Sequence, residues 1–222
     1  MSAQPKFAVV LSGCGVFDGS EIHEAVLTLL AIDRHGGTYQ CFAPDIPQMH
    51  VVNHLTGEPS GESRNVLVEA ARIARGHIKP VTDFRPEDFD ALIFPGGFGA
   101  AKNLCSFAVS GPDCTVDPAT EATIRAMAAA TKPIGALCIA PALLAKVLGH
   151  GLDVTIGNDT GTAQAIEAMG AHHREAGHGG VVVDKARKVV TAPCYMLDSS
   201  ISQIADGADN AIKALMELIR KL

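Results

Sequence analysis

Three short segments hold residues whose types and spacing could do chemistry. The first reads Ile134-Gly135-Ala136-Leu137-Cys138-Ile139-Ala140-Pro141, an apolar strand that passes without a loop into a helix, with a cysteine at the junction. A nucleophile on such a sharp turn is lifted above the sheet edge, with the helix N-terminus beneath it. The helix field there favours the thiolate and lowers the cysteine pKa. In the usual pattern glycines stand two residues either side of the nucleophile. Here those positions are Ala136 and Ala140, small but not glycine. The competing reading of Cys138 is a buried structural thiol, the ordinary condition of a free cysteine.

The second segment is Phe94-Pro95-Gly96-Gly97-Phe98-Gly99, a strand end followed by paired glycines. Their N–H groups can point into a crevice and suit an oxyanion; the plainer reading is an ordinary glycine turn. The third runs from Ser12 to Glu24, with Gly13, Gly15 and Gly19 ahead of a helix and Glu21 and Glu24 in its first turn. A first-turn acid is favoured by the helix dipole whatever its function, and we read Glu21 in that way, as a solvated residue. Glu24 lies on nearly the same face, one turn deeper. The same glycines partly match a dinucleotide fingerprint, with Asp45 as the acid after the second strand. The match is imperfect, because the third glycine is one residue late and Asp18 and Glu21 would face the pyrophosphate.

These segments must be held by a sheet, and the hydrophobic pattern supplies one. Short apolar runs at 6–11, 38–43, 91–94, 134–137 and 153–156 read as strands. Helical periodicity covers 20–35, 62–75, the stretch opened by Asp117-Pro118, the stretch after Cys138, and 197–222 with a break expected near Gly207. Residues 181–184 and 188–191 read as a small peripheral hairpin. Strand and helix alternation predicts an α/β fold, a mostly parallel sheet with helices on both faces. In such sheets ligands sit beyond the carboxyl ends of the strands, where all three segments converge. The chain is expected to form one domain over 1–222, with irregular insertions near 44–61 and 98–116. The insertions supply the candidate substrate-pocket residues Asn53, His54 and Asn103.

The composition narrows the function classes. The chain has 222 residues, 47% of them hydrophobic and 19% charged, with a net charge of -6. No basic run is present that would neutralise several phosphates, so nucleic acid is not the expected partner. No apolar run is long enough to cross a membrane. The N-terminus lacks the pattern of a signal peptide, which predicts a cytoplasmic location. The six cysteines form no C-x-x-C pair, so no metal site is expected.

The combination of LSGCGVFDGSEIHEAVLTLLAI, VNHLTGE, ARIARG, PGGFGAAKNL, TVD and LCIAPALL resembles the ElbB family across nearly the whole chain. That family belongs to the ThiJ/PfpI superfamily, related to class I glutamine amidotransferases. The resemblance implies a flavodoxin-like three-layer sandwich, a homodimer, a link to isoprenoid biosynthesis, and a glyoxalase-like activity that needs no metal or redox cofactor. It implies that Cys138 is the elbow cysteine and Glu24 its carboxylate partner. Gly96, Gly97 and the N–H of Ile139 become the oxyanion-binding groups. Ile139 stands where PfpI-type members carry histidine, so a Cys-His peptidase or glutaminase is not expected. His54 is the remaining histidine that could approach the site, while His172, His173 and His178 read as surface residues. The expected activity is conversion of glyoxal, or a related small dicarbonyl, to a hydroxy acid through a Cys138 hemithioacetal. The alternative is a redox-stress sensor or chaperone-like protein using the same cysteine.

Overall fold

The computed structural model describes residues 4–220; the last two residues of the expected C-terminal helix lie outside them. In chain order the elements are β1 (Lys6–Val10), α1 (Ile22–Arg34), β2 (Thr38–Ala43), α2 (Val66–Ile73), β3 (Ile78–Pro80), β4 (Ala91–Phe94), α3 (Phe98–Lys102), α4 (Phe107–Ser110), α5 (Pro118–Ala129), β5 (Ile134–Leu137), α6 (Pro141–Leu148), β6 (Asp153–Val154), α7 (Thr160–Ala168), β7 (His172–His173), β8 (Val182–Asp184), β9 (Val189–Ala192) and α8 (Ile201–Ile219). Seven strands form one sheet in the order β3-β2-β1-β4-β5-β9-β8, parallel throughout except that β8 runs antiparallel to β9.

The central strands are apolar on both sides because both sides are covered. Along β1, Ala8 and Val10 enter one core, while Phe7 and Val9 enter the other. The first core lies under α5, α6 and α7, with Ile124, Met127, Leu143, Leu144 and Ile166 facing the sheet. The second lies under α1, α2 and α8, through Ala25, Leu29, Ile32, Val66, Ile212 and Leu215. The result is a three-layer, mostly parallel α/β sandwich. Gly135 lets α8 approach β5, since a β-carbon there would meet Leu215 Cδ1 at 2.9 Å and Ile93 Cγ1 at 3.0 Å.

Several elements differ from the sequence reading. The 181–191 hairpin is not peripheral: β9 pairs with β5 and extends the main sheet. The strand expected at 153–156 is only β6, and it leaves that sheet to pair in parallel with β7. β3 and α7 carry too short or too weak a pattern to have been read. Gly207 does not break α8; a β-carbon there would lie 3.3 Å from Cys194 Sγ, so the glycine serves close packing of an unbroken helix. The 98–116 stretch is not wholly irregular and contains α3, α4 and a 3-10 turn.

Because β1 has β2 on one side and β4 on the other, the connections on either side leave the sheet in opposite directions. That opens a crevice at the carboxyl ends of β1, β4 and β5. The β2 side of the core is anchored by Phe42, which meets Phe84 and Phe89 edge-on at ring-centroid distances of 5.7 and 5.4 Å. Phe42→Ala should therefore lower stability by about 3–5 kcal/mol, the usual cost of emptying a buried aromatic site. Urea unfolding would measure this, and a loss well under about 1 kcal/mol would show that the aromatic cluster does not hold this side of the core.

Candidate active site

The turn that carries Cys138 is strained and tightly held. β5 ends at Leu137, and Cys138 adopts φ 59°, the left-handed region, although it is not glycine. Such a conformation costs on the order of 1–3 kcal/mol and persists only where its surroundings enforce it. The Cys138 N–H donates to the Ala192 carbonyl at 2.9 Å, and Ala140 N–H closes the turn onto Leu137 O at 2.9 Å. Pro141 then opens α6.

Glu24 reaches the same point from α1. Its side chain is wholly buried, and its carboxyl oxygens accept from Gly96 N–H at 2.9 Å and Tyr195 N–H at 3.1 Å. It also hydrogen-bonds with the Cys138 thiol. Gly96 lies between the two: a β-carbon on it would run into Cys138 Cβ, Cys138 Sγ and Glu24 Oε2. Gly97 sits at φ 94° against the backbone of Gly19 and Glu21, which again leaves no room for a side chain. The N–H groups of Gly97 and Ile139 converge on the Cys138 sulfur.

Above the pair lies a cavity of about 380 Å³. Its walls are mainly apolar, from Val16, Phe98, Ile139 and Met196, with Glu21, Asp159, Thr162 and Tyr195 as the polar groups.

With this geometry in view, the chain can be set beside known proteins. It is 49% identical over 226 residues to the glutamine amidotransferase-like class 1 domain-containing protein 3, mitochondrial, of Homo sapiens, which covers 97% of this chain and 84% of that one. It belongs to this amidotransferase-like class 1 family. A solved structure, an isoprenoid biosynthesis protein with an amidotransferase-like domain from Ehrlichia chaffeensis, superposes with a TM-score of 0.91 at 38% identity, over 96% of this chain and 99% of that one. Glyoxalase III from Candida albicans shares the fold, with a TM-score of 0.61 at 15% identity over 95% of this chain and 97% of that one. No protein-family model matches the chain.

Within this family member the expected site residues divide. Cys138, Glu24, Gly96, Gly97 and Ile139 come together, but Gly96 plays a different part: its N–H is spent on Glu24 and is not free for an oxyanion. Asn53, His54 and Asn103 do not line the cavity. Asn53 closes a turn through Leu55 N–H at 2.9 Å. His54 packs at a tilt against the Phe17 ring and accepts the Phe17 N–H at 3.2 Å. Asn103 is a buried clip: its amide donates to Ser12 O at 2.8 Å and Asp18 O at 2.9 Å and accepts from Met49 N–H at 2.9 Å.

Glu21 is not the solvated acid expected; it caps α1 by accepting Glu24 N–H at 2.7 Å, is 8% exposed and faces the cavity. Among the described residues no histidine lines the cavity; the nearest link is His23, whose Nδ1 lies 2.8 Å from Tyr195 Oη. His173 is half-buried rather than a surface residue, while His172 and His178 are exposed or largely so.

The glycine loop does not form a phosphate cradle. Gly15 N–H donates to Ser20 O at 2.9 Å, Gly19 N–H to Gly15 O at 2.7 Å, and Asp18 is buried accepting Val52 N–H at 2.7 Å. Asp45 is taken by Asn65 Nδ2 at 2.8 Å. The wall residues Phe98, Asp159, Thr162, Tyr195 and Met196 were missed by the sequence reading. Position just after a strand or glycine turn was the one available signal for Phe98, Asp159 and Tyr195.

Burial pushes the Glu24 carboxyl up to about 8; the N–H groups of Tyr195 and Gly96 oppose this, and Glu21 adds like charge. Burial also pushes the Cys138 thiol up, and a charged Glu24 adds to it, while the N–H groups of Gly97 and Ile139 pull it down. The helix field anticipated from the sequence is therefore outweighed by loss of water. Two charges in this dry space repel, so the pair titrates as one unit and retains at least one proton near neutrality.

Glu24 also makes stability depend on pH. Below its ordinary value of 4.5 the carboxyl is protonated folded or unfolded, and above about 8 it is charged in both. Between these limits the folded chain holds a proton that the unfolded chain has released, so stability falls as pH rises. Urea unfolding should show wild-type protein losing about 2 kcal/mol or more between pH 5 and 8 beyond any loss in Glu24→Gln. Identical slopes for the two proteins would assign the effect elsewhere.

Proposed function

We propose that this chain is a cofactor-independent, glyoxalase-like enzyme that converts glyoxal or a related small dicarbonyl to a hydroxy acid. The observation that carries the reading is the buried Cys138–Glu24 pair, whose Cys138 lines a small, mainly apolar cavity, with two backbone N–H groups aimed at the sulfur. The likeness to glyoxalase III is one of fold, and the reading rests on the site.

The Cys138 sulfur attacks one aldehyde carbon, and a C–S bond forms. The carbonyl oxygen takes the charge where Gly97 and Ile139 N–H groups can meet it, then takes the proton held by the pair. Glu24, now a carboxylate, removes the hydrogen from that carbon to give an enediol and returns it to the second carbon, while the proton on the first oxygen passes to the second oxygen. The first carbon is thereby oxidised to a thioester and the second reduced to a carbinol, so no external oxidant enters. Water then adds to the thioester, the C–S bond breaks, and the hydroxy acid leaves. A carboxyl titrating near 8 is well matched to moving protons in both directions near neutral pH.

The absence of a histidine from the cavity walls among the described residues disfavours peptidase or glutaminase chemistry at this site. Homodimerisation belongs to the same proposal and rests on the resemblance. A cytoplasmic location is equally a proposal, and the human relative is named as mitochondrial. No helix among the described residues is long and apolar enough to cross a membrane.

Turnover of glyoxal by the metal-free protein should vanish in Cys138→Ala and fall by roughly 10² or more in Glu24→Gln, the worth of a positioned acid–base. Steady-state assays of both variants, with folding checked by circular dichroism, would measure this. Near-normal turnover in folded Glu24→Gln would remove Glu24 from the mechanism. Absence of turnover in wild type would favour the sensor reading of Cys138.

A further inference from the structure

A second pair of thiols lies away from the Cys138 cavity. Cys105 follows α3, and Cys114 follows the 3-10 turn Gly111–Asp113. The chain between them doubles back on itself. Cys105 bridges Val116 in antiparallel register, Ser106 N–H donates to Thr115 O at 2.9 Å, and Thr115 N–H returns to Ser106 Oγ at 2.9 Å. Extending that register makes Cys105 and Cys114 diagonal neighbours on one face, and their thiols hydrogen-bond to each other.

The two sulfurs have different surroundings. Both lie in the core, and Cys105 Sγ is 3.4 Å from Ala100 O. Cys114, itself buried, forms part of the wall of a cleft of about 290 Å³ whose other lining residues include Thr115, Val116, Glu121, Arg125 and Lys146. The Lys146 ammonium is held there by Pro112 O at 2.9 Å. The hydrogen bond from Cys105, aided by Lys146, draws the Cys114 thiol down to about 7 against the effect of burial. The same bond, together with burial, pushes Cys105 up. One sulfur is thus prepared to attack and the other to keep its proton until it resolves the product.

We infer that Cys105 and Cys114 form a hydroperoxide-reactive dithiol, separate from the Cys138 site, that closes to a reversible disulfide. The Cys114 thiolate attacks one peroxide oxygen; an S–O bond forms and the O–O bond breaks. The departing oxygen leaves as water or an alcohol with the proton that Cys114 gave up. Cys105 then attacks the Cys114 sulfenic sulfur, the S–S bond forms, and hydroxide leaves as water with the Cys105 proton. The two sulfurs together lose two electrons, and the peroxide gains two.

The test uses the reduced full chain, exposed to hydrogen peroxide near neutral pH, alkylated and digested with trypsin. Both cysteines fall in the peptide 103–125, between Lys102 and Arg125. That peptide should lose the mass of two hydrogens and both alkylation sites, and regain both on reduction, in wild type and Cys138→Ala alike. In Cys105→Ser, Cys114 should be captured as a sulfenic acid by dimedone. A peptide 103–125 that stays fully alkylated while the Cys138 peptide is oxidised would overturn the inference. So would loss of the disulfide in folded Cys138→Ala, or the lack of any dimedone adduct in folded Cys105→Ser.

Discussion

A carboxyl and a thiol share one dry space at the ends of β4 and β5, and much of the surrounding structure exists to make that tolerable. Glu24 has no water to solvate it; what it has is the Gly96 N–H, the Tyr195 N–H and the Cys138 thiol. Three donors do not replace a hydration shell, so the carboxyl holds its proton far above the ordinary range. That retained proton makes the pair useful, because the same group can give and accept it near neutral pH.

Each neighbour of the pair is limited in identity by this arrangement. Gly96 must be free of a β-carbon because Cys138 and Glu24 occupy the space it would fill. Gly97 must take a positive φ so that its N–H turns toward the sulfur while its α-carbon lies against Gly19 and Glu21. Cys138 and Cys194 both sit in the left-handed region, and both turns deliver a group to Glu24, the thiol from one and the Tyr195 N–H from the other. Strain of this kind is held by the sheet on either side, where β5 is locked between β4 and β9. Asn103 ties the glycine loop to the second insertion, and so keeps the start of α1, and with it Glu24, in place.

The thiols illustrate how environment, rather than residue type, sets reactivity. Cys41 is buried in a strand, and burial alone pushes it up to about 12. Cys138 is equally dry but meets N–H donors and a carboxyl that carries a proton. Cys114 has a cysteine donor and an ammonium beside it. Three cysteines of one chain thus stand as an inert filler, a coupled site and an acidic thiol.

The sequence by itself determined the layer architecture, the crevice and the chemical groups at its floor. Strands buried on both faces are near-continuous apolar runs, and helices covering them carry a 3.6-residue period, so β1, β4, β5, α1 and α5 were legible. A cysteine at a strand-to-helix junction and glycines after a strand are local signals, and they led to Cys138 and Gly97. Only the tertiary structure decided the rest. Whether the 181–191 hairpin joined the main sheet depended on β5 offering β9 an edge, which no local pattern records. Tyr195, Asp159 and Phe98 became cavity walls because distant segments met there, while Asn53 was drawn off by a hydrogen bond within its own loop and His54 and Asn103 by hydrogen bonds to the glycine loop. The same holds for the electrostatics: the residue types announce a thiol and a carboxyl, but their proton affinities follow from how much water the folded chain excludes, and that is a property of packing.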